Sequence, residues 1–356
     1  VEIVTKGSDP SLPMRLTLLK IVNQKAVQAA GDQVATKPVG TGPYKVTEWK
    51  RGVTITMEAF DGYWSTKPSV KKATYRFIQE PGTRLSALKA GEIDLAVNMS
   101  PEYVKELPKV ASTEGLEFPW IRLNQFKGAM KNSKIRQAAN YAVDKDALAK
   151  GLFGGYASPA QGQLFKPGYI GYNANLKSYP YDVNKAKQLL KEAGYTNEKV
   201  ALIYERGRWL KEGELAEAVG AMLKEAGFNV ELKALSWQEW LKTLFARDRA
   251  PDLMYSSHAN EMFDADRTFT SIIHSTKGTQ SAYLNTDLDA KIDAARSEMD
   301  KAKRQAMYEE IGQKVYDDPY AIFLVNIKDI YGLSKSLDWK PRQDSRITVF
   351  EMKTVE

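Results

Sequence analysis

Two arginines and a tryptophan follow an apolar run in Val200-Ala201-Leu202-Ile203-Tyr204-Glu205-Arg206-Gly207-Arg208-Trp209. A guanidinium is a fixed cation whose planar fork matches a carboxylate, and an indole offers a wide stacking face with one donor. Arg206, Arg208 and Trp209 therefore suit a small anionic or zwitterionic molecule, the alternative being surface arginine beside a half-buried indole. A second group, Ser257-His258-Ala259-Asn260-Glu261-Met262-Phe263-Asp264-Ala265-Asp266, is polar and acidic and follows another apolar run. His258 with Asp264 or Asp266 has the residue types of a hydrolase-like centre, but there is no serine flanked by nucleophile-elbow glycines. The other histidine, His274, is sixteen residues away, which excludes a helical metalloprotease motif. Three readings of this run stay open: a solvated loop, a ligand-binding loop in which Glu261 accepts from a cationic group, or a metal site of one imidazole with oxygens. Trp120, Arg122 and Asn124 form a third group, where the chain passes between two regions of different composition. Clefts between domains are a favoured place for ligands.

Other candidates carry less. Gly40-Thr41-Gly42-Pro43-Tyr44 has paired glycines but leads into a strand, and it lacks both the Lys-Ser/Thr of a P-loop and the third glycine of a dinucleotide fingerprint. It reads as a structural turn. Acid pairs such as Asp287 with Asp289 and Asp317-Asp318 fall at helix ends, where capping and dipole compensation account for them.

The elements that must position these groups alternate. Strands are expected at 44–49, 53–60, 71–79 and 93–97, with a helix at 82–90, a short helix at 101–107 opened by Ser100-Pro101-Glu102, and a strand at 115–123. From there a helix is read over 133–153, a second after the capping Asp182, a strand at 200–204, a helix at 212–226 and a strand at 228–235. Ser236 and Glu239 have capping-box spacing, opening a helix before a strand at 252–256. This strand-helix-strand-helix-strand order implies a parallel sheet covered by helices, with loops at the strand C-termini free to meet a ligand. Two more helices, 287–299 and 301–316, precede an apolar strand at 321–327.

The chain has 356 residues, enough for two or three domains at roughly 100 to 200 residues each. Its 43% apolar and 27% charged content is that of a folded protein, and no apolar stretch approaches the roughly 18 to 20 residues that span a bilayer. The absence of cysteine excludes disulfides, thiolate nucleophiles and Cys-ligated zinc or iron–sulfur sites. The net charge of +7 is small for this length and scattered in mixed-sign stretches, so no nucleic-acid partner is expected.

The stretch Lys37-Pro38-Val39-Gly40-Thr41-Gly42-Pro43-Tyr44-Lys45-Val46 through Glu48-Trp49, then Tyr63-Trp64 and Lys67-Pro68, resembles the signature of the bacterial family 5 extracellular solute-binding proteins, the dipeptide- and oligopeptide-binding proteins of ABC importers. The likeness continues through Thr83-Arg84-Leu85 to Gly91-Glu92-Ile93-Asp94, Ile135-Arg136-Gln137-Ala138 to Asp144-Lys145, Tyr179-Pro180-Tyr181-Asp182 to Ala193-Gly194-Tyr195, and Asp318-Pro319-Tyr320. It covers essentially the whole chain, in family order. The resemblance implies an α/β fold of the hinged, two-lobe periplasmic-binding-protein type (type II, cluster C-like), with mixed sheets covered by helices. It implies lobe one at 15–117 plus 318–356, lobe two at 118–317, and residues 1–14 as the end of an upstream small domain. Family members carry well over a hundred residues before the point corresponding to Val1, so the chain is expected to be a fragment, with a strand at 1–5 that has lost its partners.

The implied function is a non-catalytic, monomeric receptor without cofactor or metal, periplasmic or extracellular on a lipid anchor. It would hand a peptide or similar small polar solute from an interlobe cleft to a membrane permease. The family also includes binders of nickel, haem, opines and oligosaccharides, so the solute stays open. In the family's binding loop a tryptophan, an acid and an Asp-Pro-Asp run are usual; here His258, Glu261 and Asp264-Ala265-Asp266 stand in those places. The expected ligand-binding set is Trp120, Asn124, Arg206, Arg208, Trp209, His258, Glu261 and Asp264.

Overall fold

The structure is a computed structural model that describes residues 2–33, 36 and 38–355; Val1 and Lys37, which enter the readings above, lie outside the described residues. Its contacts divide the chain into two compact units. One takes the residues up to Leu12 with Glu114–Lys328, the other Pro13–Thr113 with the described residues from Asp329 onward.

In chain order, α1 (Leu12–Leu16) and α2 (Gln24–Ala30) come first. The turn at Gly40 to Pro43 then leads into an antiparallel meander of β1 (Tyr44–Lys50), β2 (Thr54–Ala59) and β3 (Lys72–Arg76). Helix α3 (Pro81–Lys89) starts on a proline, which lacks an N–H that would be unpaired there anyway, and buries Leu85, Ala87 and Leu88. Strands β4 (Leu95–Ala96) and β5 (Lys109–Glu114) follow. Between them, the helix expected at 101–107 is a 3-10 helix over Pro101–Glu106, and the Ser100 hydroxyl bonds Glu102 at 2.7 Å and caps no backbone amide.

The larger unit contains β6 (Glu117–Leu123) and two helices where one was read: α4 (Ser133–Tyr141) and α5 (Lys145–Phe153). The break falls where Asp144 accepts from the amide of Ala147 and so starts a new helix. After β7 (Ala157–Pro159) come α6 (Val183–Glu192), β8 (Lys199–Glu205), α7 (Glu212–Glu225), β9 (Asn229–Leu235), α8 (Trp237–Leu244) and β10 (Leu253–Ala259). Asp182 caps α6, and both halves of the Ser236–Glu239 capping box are formed at α8. Beyond them lie α9 (Ala265–Thr268), α10 (Thr286–Ser297), α11 (Lys301–Asp317), β11 (Ala321–Phe323), β12 (Val325–Leu333), β13 (Leu337–Asp338) and β14 (Lys353–Thr354).

The main sheet of this unit runs β11-β6-β10-β8-β9. Strands β9, β8 and β10 are parallel, as the alternation requires, and β6 is antiparallel to β10. One face packs Ile121, Leu202 and Leu253 against Leu215, Val219 and Leu223 of α7, each such side chain contributing roughly 1.5–3 kcal/mol when fully buried. The other face carries Phe118, Trp120 and Phe323 beside one cluster and Ile203 and Met254 beside Trp240 of α8.

Two expectations change. The segment 321–327 was expected in lobe one, but Ala321 pairs with Arg122 and Phe323 with Trp120, while Val325–Ile327 pairs with β7. The reason is its burial on both faces: Ile322, Leu324 and Val325 fill one core of the larger unit, Ala321 and Phe323 the other. No strand forms over residues 2–5. Farther along that segment the buried Ser11 hydroxyl lies 3.2 Å from Asp266 Oδ2, so it is tied to the larger unit. In the smaller unit β12 runs between β4 and β5, and Tyr331, Leu333, Trp339 and Met352 pack with Tyr44, Met57 and Tyr75. No helix among the described residues is long and apolar enough to cross a membrane.

Candidate functional site

Strand β8 leads through α7 to β9 on one side of it, and β9 leads through α8 to β10 on the other. Loops leaving β8 and β10 thus depart from one sheet edge at a reversal of strand order, the place where open α/β sheets bind ligands. The β8–β10 register covers only Leu253↔Leu202 and Met254↔Ile203, so Tyr204 and Glu205 are not laddered to β10. The Tyr255 carbonyl instead accepts from the Trp240 indole at 3.0 Å.

The loop after β8 is built on aromatic rings. Trp209 meets Trp240, Tyr255 and Trp237 at centroid distances of 5.1, 6.1 and 6.3 Å, and Trp237 stacks on Trp240 at 5.1 Å. The exposed Arg208 guanidinium lies 4.2 Å over Trp237 and 5.2 Å over Trp209, and has no carboxylate partner among the described residues. Arg206 is committed: it donates to the Tyr204 hydroxyl at 2.9 Å and to Glu217 at 3.2 Å, and these bonds raise its pKa. Beneath the loop Glu212 is buried, with one oxygen accepting from the Arg208 amide at 2.9 Å. Burial, reinforced by the nearby Glu205 carboxylate, pushes its pKa up to about 7. A cavity of about 430 Å³ opens here, lined by Arg206, Trp209, Lys211, Glu212, Glu214 and Glu217 among others.

The group after the other strand is placed differently from the sequence reading. β10 continues three residues past Ser256, because Ser257, His258 and Ala259 keep pairing with Pro119, Phe118 and Glu117. His258 is therefore a buried strand residue, its Nε2 2.8 Å from the Thr268 hydroxyl, and burial, helped by Arg267, lowers its pKa to about 3. Glu261 forms an ion pair with Arg267. Asp264 gives both oxygens to the buried Arg304 at 2.6 and 2.7 Å and also caps the amide of Asp266. Asp266 in turn accepts from Thr270 and pairs with Arg296. A hydrolytic use of His258 with either acid finds an imidazole that stays neutral and two carboxylates already held by arginines.

Two further expectations move for reasons of strand direction and pleat. Because β6 runs antiparallel, Asn124 at its C-terminal end lies beside the start of β10, away from the loops after β8 and β10. There it donates to Ala250 and Arg247 carbonyls and accepts from the Phe126 amide, a turn-building role. Trp120 is 1% exposed, edge-on to Tyr320 at 5.8 Å, and so has no face left for a solute. Conversely, the sequence reading passed over Glu205, Glu212, Tyr255, Trp237 and Trp240. An acid directly after the apolar run 200–204, followed by a second acid opening the next helix, is the signal that points to the first two. Among the described residues no group of three or more His, Asp or Glu could hold a metal ion.

The architecture and this sheet edge define a protein of the periplasmic-binding-protein fold. Over 98% of its length the chain superposes on 71% of the periplasmic binding protein DppA from Helicobacter pylori, solved with the peptide STSA, at a TM-score of 0.84 and 26% identity. It also superposes over 99% of its length on 75% of the oligopeptide-binding protein AppA from Bacillus subtilis, at a TM-score of 0.82 and 22% identity. Residues 1–280 match the family of bacterial extracellular solute-binding proteins, family 5 (middle), and the chain belongs to that family. It is 28% identical over 331 residues to the glutathione-binding protein GsiB of Pectobacterium atrosepticum and 26% identical over 316 residues to the dipeptide-binding protein of Escherichia coli. Those alignments take in 89% and 85% of the chain but only 64% and 58% of the relatives' lengths.

Proposed function

We propose that this chain is the solute-capturing part of an ABC importer's receptor, working outside the cytoplasmic membrane, in the periplasm or on a lipid anchor, and delivering to a membrane permease. Its two compact units are the receptor's lobes, and it acts as a monomer without catalysis. The solute class is a peptide or a peptide-like molecule such as glutathione, in keeping with its glutathione-binding and dipeptide-binding relatives. The observation that carries this reading is the family match over residues 1–280. Arg208, pre-stacked on Trp237, donates to an anionic group, Trp209 packs against the non-polar part, and Glu261 exchanges Arg267 for a cationic group. His258 shapes the wall as a neutral ring.

Calorimetry with glutathione, Ala-Ala and Ala-Ala-Ala tests this. At least one should bind, and Arg208→Ala should weaken it tenfold or more, since a charge-assisted hydrogen bond contributes about 1.5–3 kcal/mol. No heat with any of the three, in a chain whose folding is verified by circular dichroism, would refute the peptide reading.

A further inference from the structure

The arginines of the β8–α7 loop suit an anion, yet the charge left uncompensated beneath the loop is negative. Of the two cations lining the cavity, Arg206 is paired with Glu217 at 3.2 Å and Lys211 with Glu214 at 3.4 Å. Glu212 also lines it, is 3% exposed, and keeps its Oε2 without a hydrogen-bond partner. Glu205, 5% exposed, likewise has an unpartnered Oε2, and the two carboxylates are close enough to repel. The fully buried Tyr255 hydroxyl also has no partner and feels the charge of Glu212. An unsatisfied carboxylate oxygen at a cavity wall, with a second unsatisfied carboxylate near enough to repel it, requires an explanation, since buried polar groups are nearly always bonded.

The geometry points to a receptor site for an organic cation, an ammonium or guanidinium group of the solute, with Glu212 as its floor, the Glu205 carboxylate behind it and Trp209 as its wall. This rests on the proposed reading of the chain as a solute receptor and assigns the charge of the group that enters here. An ammonium offers three donors and a guanidinium five, enough for these oxygens, and the indole adds a cation–π face. A divalent metal fits less well, since calcium takes six to eight oxygen ligands and the described residues place no such set here. The positive end of α7 does not oppose this, because Glu214 and the bonded oxygen of Glu212 already answer it. The cavity's volume of about 430 Å³ suits a small side chain or amine.

The test is calorimetry and thermal shift on the full chain at pH 8, with agmatine as the cationic probe and succinate as the anionic one. Agmatine should bind with 1:1 stoichiometry and raise the melting temperature of the wild type, succinate should not, and Glu212→Gln and Glu205→Gln should each weaken agmatine at least tenfold. Because each substitution removes a buried unpaired charge, both variants should melt no lower than wild type without probe. No agmatine binding to wild type, or binding that both variants keep, overturns the site. Glutathione or Ala-Ala-Ala binding that is unaffected by both variants, with agmatine inert, overturns this site alone and leaves the receptor reading standing. Agmatine binding lost in the variants, with no peptide bound, supports the site and removes the peptide reading.

Discussion

Asp264 decides between a ligand-binding and an architectural account of the loop after β10, and its partner Arg304 allows the test. The pair is 2% and 3% exposed and bidentate at 2.6 and 2.7 Å; Arg304 also donates to the Ala295 carbonyl and the Tyr308 hydroxyl, each at 3.2 Å. Replacing Arg304 with Met leaves a buried carboxylate with its counter-charge gone, a loss of about 3–5 kcal/mol; Asp264→Asn strands the guanidinium at a similar cost. The double variant buries neither charge, so it should be at least about 2 kcal/mol more stable than the sum of the single losses predicts. Urea unfolding followed by tryptophan fluorescence reads all four proteins, and solute binding is measured alongside. Additive losses would refute the buried-pair reasoning. An Asp264→Asn variant of wild-type stability but lost affinity would return Asp264 to the binding set.

Three other outcomes are expected. Glu212, held at about 7 when folded against an ordinary 4.5, keeps its proton better in the folded chain, so it lowers stability as pH rises between those values. Relative to Glu212→Gln, the wild type should lose about 2 kcal/mol between pH 5 and 8, measured by urea unfolding, and parallel profiles would contradict the assignment. His258 has the opposite sign: its folded pKa of about 3 lies below the ordinary 6.5, so stability present above 6.5 is lost as pH falls and the unfolded chain takes up the proton. By pH 5 the wild type should have lost about 2 kcal/mol relative to His258→Gln, and a flat difference profile would contradict burial of the neutral ring. Gly171→Ala should destabilise by more than about 1 kcal/mol, because Gly171 has φ +93° and a Cβ would stand 2.4 Å from that of Ala265; an unchanged urea midpoint would show the loop to be more yielding than described.

Local signals survived into the structure where one element sufficed to state them. The Ser236–Glu239 box, the Asp182 cap and the apolar stripe of Leu215, Val219 and Leu223 need no distant partner, and the parallel order of β8, β9 and β10 follows from alternation alone. What could not be read depends on neighbours far along the chain. Ala321–Phe323 is apolar on both faces, a pattern compatible with either unit, and only its pairing with β6 assigns it. Asn124 was grouped with Trp120 by proximity in sequence, but the direction of β6, set by β10, sends it to the other end of the sheet. Arg206 and Asp264 have the residue types of a binding site, and carboxylate or guanidinium groups on later helices, Glu217 and Arg304, occupy them first. Glu205 and Glu212 are not legible as a pair, because a lone acid in sequence reveals nothing about burial and their interaction depends on how the β8–α7 loop folds back.

The most direct measurement of the receptor claim is mass spectrometry of whatever the purified chain retains, released by denaturation after gentle purification at low salt. The account predicts one small polar solute at near-stoichiometric amount, carrying a cationic group and an anionic group, and a purified Arg208→Ala, Glu212→Gln double variant that comes through empty. Recovery of a solute lacking a cationic group, or retention of the same solute at the same stoichiometry by the double variant, would contradict it.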